Sequence, residues 1–286
     1  MAVHIMPVFM AIFLGIVQGV AEFLPISSSG HLAVFQNLFN LNYYEEQHLL
    51  FDVVLHLGTL ISIVVVYWKD IREMLRDGIS YLRMKSDSND DEPVVLKPPG
   101  RALLFVLIGT LPMALSMIFY NSISLLFANT FFIGFAFLIT GGLLFVSSKY
   151  IKQGNKTDKT MTAVDALIIG LAQAVATLPG LSRSGTTIVV GLSRGLTGAF
   201  AVRFSLLLSI PAVLGATLVS FFKAVAAGFD LMQLPTYLAG FVVAAGLGYV
   251  MIQTLRRIMS KGNFGYFSYY LWALGLIVIT WSLFRI

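Results

Sequence analysis

Residues 15–30, GIVQGVAEFLPISSSG, and residues 170–185, GLAQAVATLPGLSRSG, align without a gap at an offset of 155. Seven of the sixteen positions are identical: Gly15/Gly170, Gln18/Gln173, Val20/Val175, Ala21/Ala176, Ser27/Ser182, Ser29/Ser184 and Gly30/Gly185. Ile16/Leu171 and Ile26/Leu181 are conservative exchanges. Apolar helices resemble one another by chance, but shared Gln, Ser and Gly positions do not follow from hydrophobicity. Each copy runs as an apolar helix into a Pro, then a Ser/Gly-rich break, a short apolar stretch and a long apolar run. Backbone groups freed by Pro and Gly find no water in hydrocarbon. Such a break must be buried in protein or line a polar cavity. Paired breaks in corresponding halves point to a binding site near the bilayer midplane.

The surrounding chain has the composition of a membrane protein. Of 286 residues, 57% are hydrophobic and 12% charged, with a mean hydropathy of +0.84. Soluble domains carry about 25% charged residues, and disordered chains need low hydrophobicity with high charge, so both classes are excluded. Without cysteine there is no disulfide framework, thiolate metal site or cysteine nucleophile. A spanning helix needs about 20 mostly apolar residues. Stretches 5–24, 49–68, 102–119, 131–148, 204–222, 236–254 and 266–284 qualify, whereas 163–178 is apolar but short. The runs are continuous, without the alternation of a barrel strand. No Lys or Arg precedes the first run, so 5–24 reads as part of the mature chain and not as a cleaved signal. The expected fold is all-α: one integral membrane domain over 1–286, a polytopic transmembrane helical bundle.

Charge gives the expected orientation. The net charge of +5 and pI ≈ 9.4 reflect basic cytoplasmic loops and not nucleic-acid binding. Residues 69–101 carry seven basic residues, 149–159 carry four, and Arg256, Arg257 and Lys261 lie between the last two spans, while 120–130 and 225–235 carry none. The segment SDSNDDEP (86–93) reads as a solvated loop tip. If each break is a re-entrant hairpin, three spans separate the copies, and an odd number inverts them. Two inverted-topology repeats, about 5–68 and 163–222, would then bring their hairpin tips together.

At the first break, Gln18 and Glu22 are four apart and share a helical face, followed by Pro25, Ser27, Ser28, Ser29 and His31. An ionisable residue such as Glu22 inside an apolar run is functional by default. Capping the next helix (31–39) would explain one serine, not three and a His. Glu and His together offer acid–base chemistry, and His can also attack as a nucleophile. The second break reads PGLSRSGTT (179–187). Arg183 presents a planar fork suited to phosphate, Ser182, Ser184, Thr186 and Thr187 add hydroxyls, and a helix beginning near Thr186 would point its positive end there. Arg194 and Arg203 fit the cytoplasmic interface. Asp52 and His56, one turn apart within a span, could line the cavity, assist a metal or form a helix–helix hydrogen bond. Asp165 suits a helix start. One acid, one His, one Arg and several hydroxyls suit an anionic phosphate whose apolar tail lies in lipid. A channel would instead show a ring of similar groups.

At these residues the sequence resembles the undecaprenyl-diphosphate phosphatase family, also called the bacitracin-resistance family. The resemblance rests on the (E/Q)xxxE motif with PxSSxxH, Gln18 to His31, and on PGxSRSxxT, Pro179 to Thr187, and it extends over nearly the whole chain. It implies hydrolysis of undecaprenyl diphosphate to undecaprenyl phosphate and inorganic phosphate, recycling the lipid carrier for cell-wall synthesis and conferring bacitracin resistance. It also implies a multi-pass protein of the inner (cytoplasmic) membrane. By resemblance, Gln18, Glu22, Ser28, His31, Arg183, Ser184 and Thr187 occupy functional positions, with Ser27, Ser29 and Ser182 beside them as substrate contacts. A divalent cation, Mg2+ or Ca2+, is implied, with Glu22 as its candidate ligand. Many members carry Glu where this chain has Gln18. The expected partners are a polyprenyl diphosphate and the bilayer, with no nucleic acid; a homodimer is left open. Arg183, Ser184 and Thr187 would hold the diphosphate, Glu22 would orient His31 or hold the metal, and Ser28, His31 or water would attack. The competing class is a transporter or lipid flippase, since inverted repeats and broken helices are transporter features too.

Overall fold

The computed structural model describes residues 6–39, 46–87, 98–152, 154–227, 231–260 and 262–284. Apart from one isolated bridge, Lys156 to Leu196, the regular structure among them is helical. That follows from the solvent: in hydrocarbon, only a helix pairs every backbone group within its own segment.

Each break is flanked by helices of matching pattern. In the first half α1 (Val8–Ala21) is followed by α2 (Ser28–Leu38) and α3 (Glu46–Val66). After α4 (Trp68–Asp87), α5 (Pro98–Thr110), α6 (Met113–Ile118), α7 (Tyr120–Leu126) and α8 (Thr130–Tyr150), the pattern returns. It reappears as α9 (Ala163–Val175), α10 (Arg183–Ser193) and α11 (Gly198–Ala227), and the chain ends in α12 (Leu234–Ser260) and α13 (Tyr266–Phe284). At 14 and 13 residues, α1 and α9 reach only about 20 Å, short of the roughly 30 Å hydrocarbon core. The expected span 5–24 is therefore corrected to a shorter helix, because the chain turns after Glu22 ahead of Pro25.

The shared serines and glycines of the repeat have a structural cause. Ser27 caps α2 by accepting from the Gly30 N–H at 3.2 Å. Its repeat partner Ser182 caps α10 by accepting from the Gly185 N–H at 3.0 Å. Each cap satisfies an N–H that the helix start leaves without a partner. Capping by Ser182 starts α10 at Arg183, three residues before the expected Thr186.

Among the described residues, five apolar stretches are long enough to cross a membrane: Pro98–Ile118, Thr130–Tyr150, Gly198–Lys223, Leu234–Ser260 and Tyr266–Phe284. The segment Leu50–Val66 continues into Trp68–Arg83 through a 77° bend. Residues 69–87, expected within a loop, are thus largely helix α4. Of the proposed loop tip 86–93, residues 88–93 lie outside the described residues. Large apolar side chains such as Phe9, Ile118, Phe222 and Ile277 are exposed, as befits a surface bathed in lipid.

Among the described residues, three helix crossings use glycine on both sides, Gly134 of α8 against Gly275 of α13 being one. A Cβ on Gly15 of α1 would stand 2.7 Å from the Gly240 carbonyl oxygen of α12, and one on Gly170 of α9 would collide with the Gly109 carbonyl of α5. Such close backbone approach is how helices associate in lipid, where burying apolar surface gains nothing. Asp165, buried at the start of α9, forms a capping box with Thr162. It also binds Lys156 and Arg194, both at 2.9 Å, while Arg203 pairs with Asp70 of α4 at 2.6 Å. Arg194 and Arg203 thus brace the side that carries the basic loops.

Candidate active site

Glu22 follows the last turn of α1 and is buried among polar groups from both halves. Its Oε1 pairs with Nη2 of Arg183, in the first turn of α10. Its Oε2 accepts from Ser28 Oγ at 2.5 Å and from Gln18 Nε2 at 2.9 Å. His56 Nε2 stands 3.7 Å from the same oxygen. Gln18 reaches Glu22 because four residues make one helical turn, and its Nε2 also contacts Thr59 at 3.4 Å.

The serine turn has an unusual backbone. Ser27, at φ 69, is the only non-glycine at positive φ among the described residues. A residue held there costs on the order of 1–3 kcal/mol, and such strain collects at functional sites. Ser28 begins α2 immediately after it, so both α2 and α10 direct their N-termini to the place where Glu22 lies. Two helix N-termini and one guanidinium give this place a positive field suited to an anion.

A cavity of about 320 Å³ opens here, lined by Glu22, Ser27, Ser28, Ser29, Ser182 and Arg183, with Gln36, Asp52 and His56. Its remaining wall is largely apolar, including Leu32, Met113, Ile123, Phe127 and Val213. The cavity therefore offers a charged end beside a greasy one, as a lipid phosphate requires.

Other predicted residues fall elsewhere. Ser184 contacts the Leu24 carbonyl at 3.3 Å. Thr187 is bound to the Arg183 carbonyl at 2.8 Å and to Ser205 at 2.6 Å. Neither lines the cavity; both brace the helix that carries Arg183. His31 is not brought to Glu22. Its Nδ1 donates to the Ser27 carbonyl at 2.7 Å, and Nε2 meets the Tyr270 hydroxyl at 2.7 Å. Because a carbonyl only accepts, Nδ1 carries the hydrogen, and in the neutral ring Nε2 accepts from Tyr270. The rings stack with an interplanar angle of 7°. They border a second, apolar cavity of about 440 Å³ lined also by Ile16, Val20, Phe137 and Trp281.

The contact of His56 with Glu22 is not evident from spacing, because it depends on how α3 packs against α1. Its Nδ1 donates to the Asp52 carbonyl at 2.7 Å, while the Asp52 carboxylate accepts from Gln36 at 2.7 Å. Tyr270 carries no sequence signal, since tyrosines are common near membrane interfaces.

Among the described residues no three His, Cys, Asp or Glu side chains gather to hold a metal ion. Gln18 Oε1, the other branch of the amide that donates to Glu22, is nonetheless buried without a hydrogen-bond partner. One carboxylate and one amide oxygen suit a hard cation completed by substrate phosphates.

The sequence has relatives. Residues 11–277 match the family model described as Bacitracin resistance protein BacA. A protein of Alkaliphilus metalliredigens named undecaprenyl-diphosphatase is 40% identical over 280 residues, covering 97% of this chain and 100% of its own. A protein of Halothermothrix orenii with the same name is 37% identical over 276 residues, covering 96% and 98%. With both breaks inside the matched region, and relatives aligned from end to end, the chain belongs to the bacitracin resistance protein BacA family.

Proposed function

We propose that this chain hydrolyses undecaprenyl diphosphate to undecaprenyl phosphate and inorganic phosphate with Ser28 as nucleophile. The activity recycles the lipid carrier for cell-wall synthesis and underlies bacitracin resistance. The observation that carries the assignment of Ser28 is its 2.5 Å hydrogen bond to Glu22, a hydroxyl placed directly on a base.

In the proposed reaction, the diphosphate enters the positive end of the cavity and draws Arg183 from Glu22 onto its own oxygens. Ser28 Oγ attacks the terminal phosphorus as its proton passes to Glu22. The bond from that phosphorus to the bridging oxygen breaks, undecaprenyl phosphate leaves, and Arg183 with the two helix N-termini stabilises the charge on the phosphoryl oxygens. Water then attacks the phosphoserine, releasing inorganic phosphate and restoring the hydroxyl. His31, held between Ser27 and Tyr270, fixes the turn that presents Ser28. A Mg2+ or Ca2+ ion would be held by Glu22 and Gln18 Oε1 and would supply further charge neutralisation at the phosphates.

The same reading covers the architecture. The paired serine caps support two repeats of about 5–68 and 163–222 in a single membrane domain. The Gly15–Gly240 and Gly170–Gly109 crossings support an interlaced arrangement, since each hairpin helix docks on the other half of the chain, and inversion follows if three spans separate the two hairpins. With the basic loops on the cytoplasmic side, the protein resides in the inner membrane.

The test is phosphate release from a polyprenyl diphosphate by detergent-purified protein, with Mg2+ and Ca2+ supplied. Release by the wild type, lost in Ser28→Ala, supports the reading. A folded wild type that releases none would favour a transporter, because detergent removes the two compartments that transport needs.

A further inference from the structure

We infer that α4 is an in-plane helix docked on an anionic lipid surface, with one apolar row among the acyl chains and a basic row on the headgroup phosphates. This stands apart from the reaction chemistry and rests on the helix's own faces.

At about 100° per residue, α4 divides into four stripes. Its inward stripe holds Met74 and Gly78, a position where a Cβ would meet Leu103 of α5 at 2.7 Å. A second stripe holds Trp68, Leu75, Ile79 and Leu82, exposed by 59%, 48%, 51% and 67%. Beside it lie Lys69, Arg72, Arg76 and Arg83, all exposed. The acids Asp70, Glu73 and Asp77 occupy the remaining face, farthest from the apolar row. Among the described residues, none of the four basic side chains is in an ion pair, whereas Asp70 is taken by Arg203.

The order apolar, basic, acidic is that of a helix lying at a membrane surface. Arginine and lysine stems run along the apolar row and lift their charges to headgroup level, while Glu73 and Asp77 lie on the side away from the acyl chains. The 77° bend after α3 turns the helix out of the spanning direction, and the Asp70–Arg203 pair anchors its start to α11. A solvated helix would not expose four large apolar side chains in one row. A row meant for a protein partner would not need a continuous basic border.

The chain has no cysteine, so Ile79→Cys and Glu73→Cys each give one attachment point for a fluorophore. Each labelled protein is reconstituted into equal parts of phosphatidylcholine and phosphatidylglycerol, with one lipid or the other brominated on its acyl chains. The label at 79 should be quenched by bromolipid, and the label at 73 by aqueous iodide. At 79, brominated phosphatidylglycerol should quench in preference, with an enrichment of about fivefold per engaged charge that falls as salt rises. The combined Lys69→Gln, Arg72→Gln, Arg76→Gln and Arg83→Gln variant should lose that preference while the label at 79 stays in the bilayer. Iodide quenching at 79 would mean a solvated helix, and shielding from both quenchers would mean a protein cover. Equal quenching by the two lipids, or a preference that survives the fourfold substitution, would mean that the basic row does not hold anionic lipid. Each of these results overturns the inference.

Discussion

Arg183 and Glu22 lie 161 residues apart and form one buried ion pair. Each is the charge that its own break contributes, and each compensates the other in a place where neither could stay alone.

Removing one partner should therefore have two effects. Arg183→Ala should lower kcat/KM by at least about 10²-fold through loss of transition-state stabilisation. It should also destabilise the protein by about 3–5 kcal/mol, because Glu22 is left buried and uncompensated. The double variant Arg183→Ala with Glu22→Gln should recover much of the stability and none of the activity. Thermal unfolding in detergent beside phosphate release checks both halves. A double variant no more stable than Arg183→Ala would sink the ion-pair account.

The serine assignment predicts a covalent intermediate. Brief mixing with substrate labelled at the terminal phosphate, followed by acid quench, should leave acid-stable label on Ser28. Ser28→Ala should reduce turnover by about 10³-fold or more and abolish the label. A parallel alkaline quench preserves phosphohistidine, and alkali-stable, acid-labile label on His31 would reassign the nucleophile.

The His31–Tyr270 contact predicts a graded effect. Tyr270→Phe removes one hydrogen bond, worth about 0.5–1.5 kcal/mol, and should lower kcat severalfold with KM little changed. His31→Ala loses the link to Ser27 as well and should cost more. If Tyr270→Phe reduced turnover as severely as Ser28→Ala, the hydroxyl itself would have to touch substrate.

A cation shared between Glu22 and Gln18 makes a directional prediction. Chelation with EDTA should suppress activity. Gln18→Glu, which adds a negative oxygen donor, should lower the Mg2+ concentration needed for half-maximal rate, and Gln18→Leu should raise it. Identical metal titrations in all three proteins would remove Gln18 from the cation site.

The glycine crossings predict contrasting alanine substitutions. Gly170→Ala drives a methyl into the Gly109 carbonyl and should destabilise by about 1–3 kcal/mol. Gly142→Ala in α8 meets nothing within 4 Å and should stabilise by about 0.5–1 kcal/mol through helix propensity. The order of the two unfolding temperatures is the readout.

Much of this architecture was legible because a bilayer leaves a chain few options. Continuous apolar runs located the long helices, and the repeat located the two breaks. The sequence could not separate a hydroxyl that faces the cavity from one that braces a helix. Ser28 and Thr187 look alike in a motif, yet one touches Glu22 and the other Ser205. Which way each points depends on where its helix starts, and α10 starts three residues early because Ser182 caps it. Nearness in sequence pairs His31 with Glu22, but the turn at Ser27 sends its ring to Tyr270 on α13. Helix α4 hides in a loop-like run of charges, which conceals an apolar row that only helical spacing reveals.

The Gly15–Gly240 crossing also constrains how the protein can be made. The docking surface for α1 lies about 225 residues downstream, so at roughly 5–20 residues per second it emerges tens of seconds after α1 itself. Through most of that interval Glu22 has no Arg183 to neutralise it. The nascent N-terminal helix must therefore wait at the membrane interface, beside the insertion machinery or protonated in lipid, until the second half arrives. Assembly is set by the end of translation, and a ribosome that stalls before α12 leaves a segment that cannot complete its own fold.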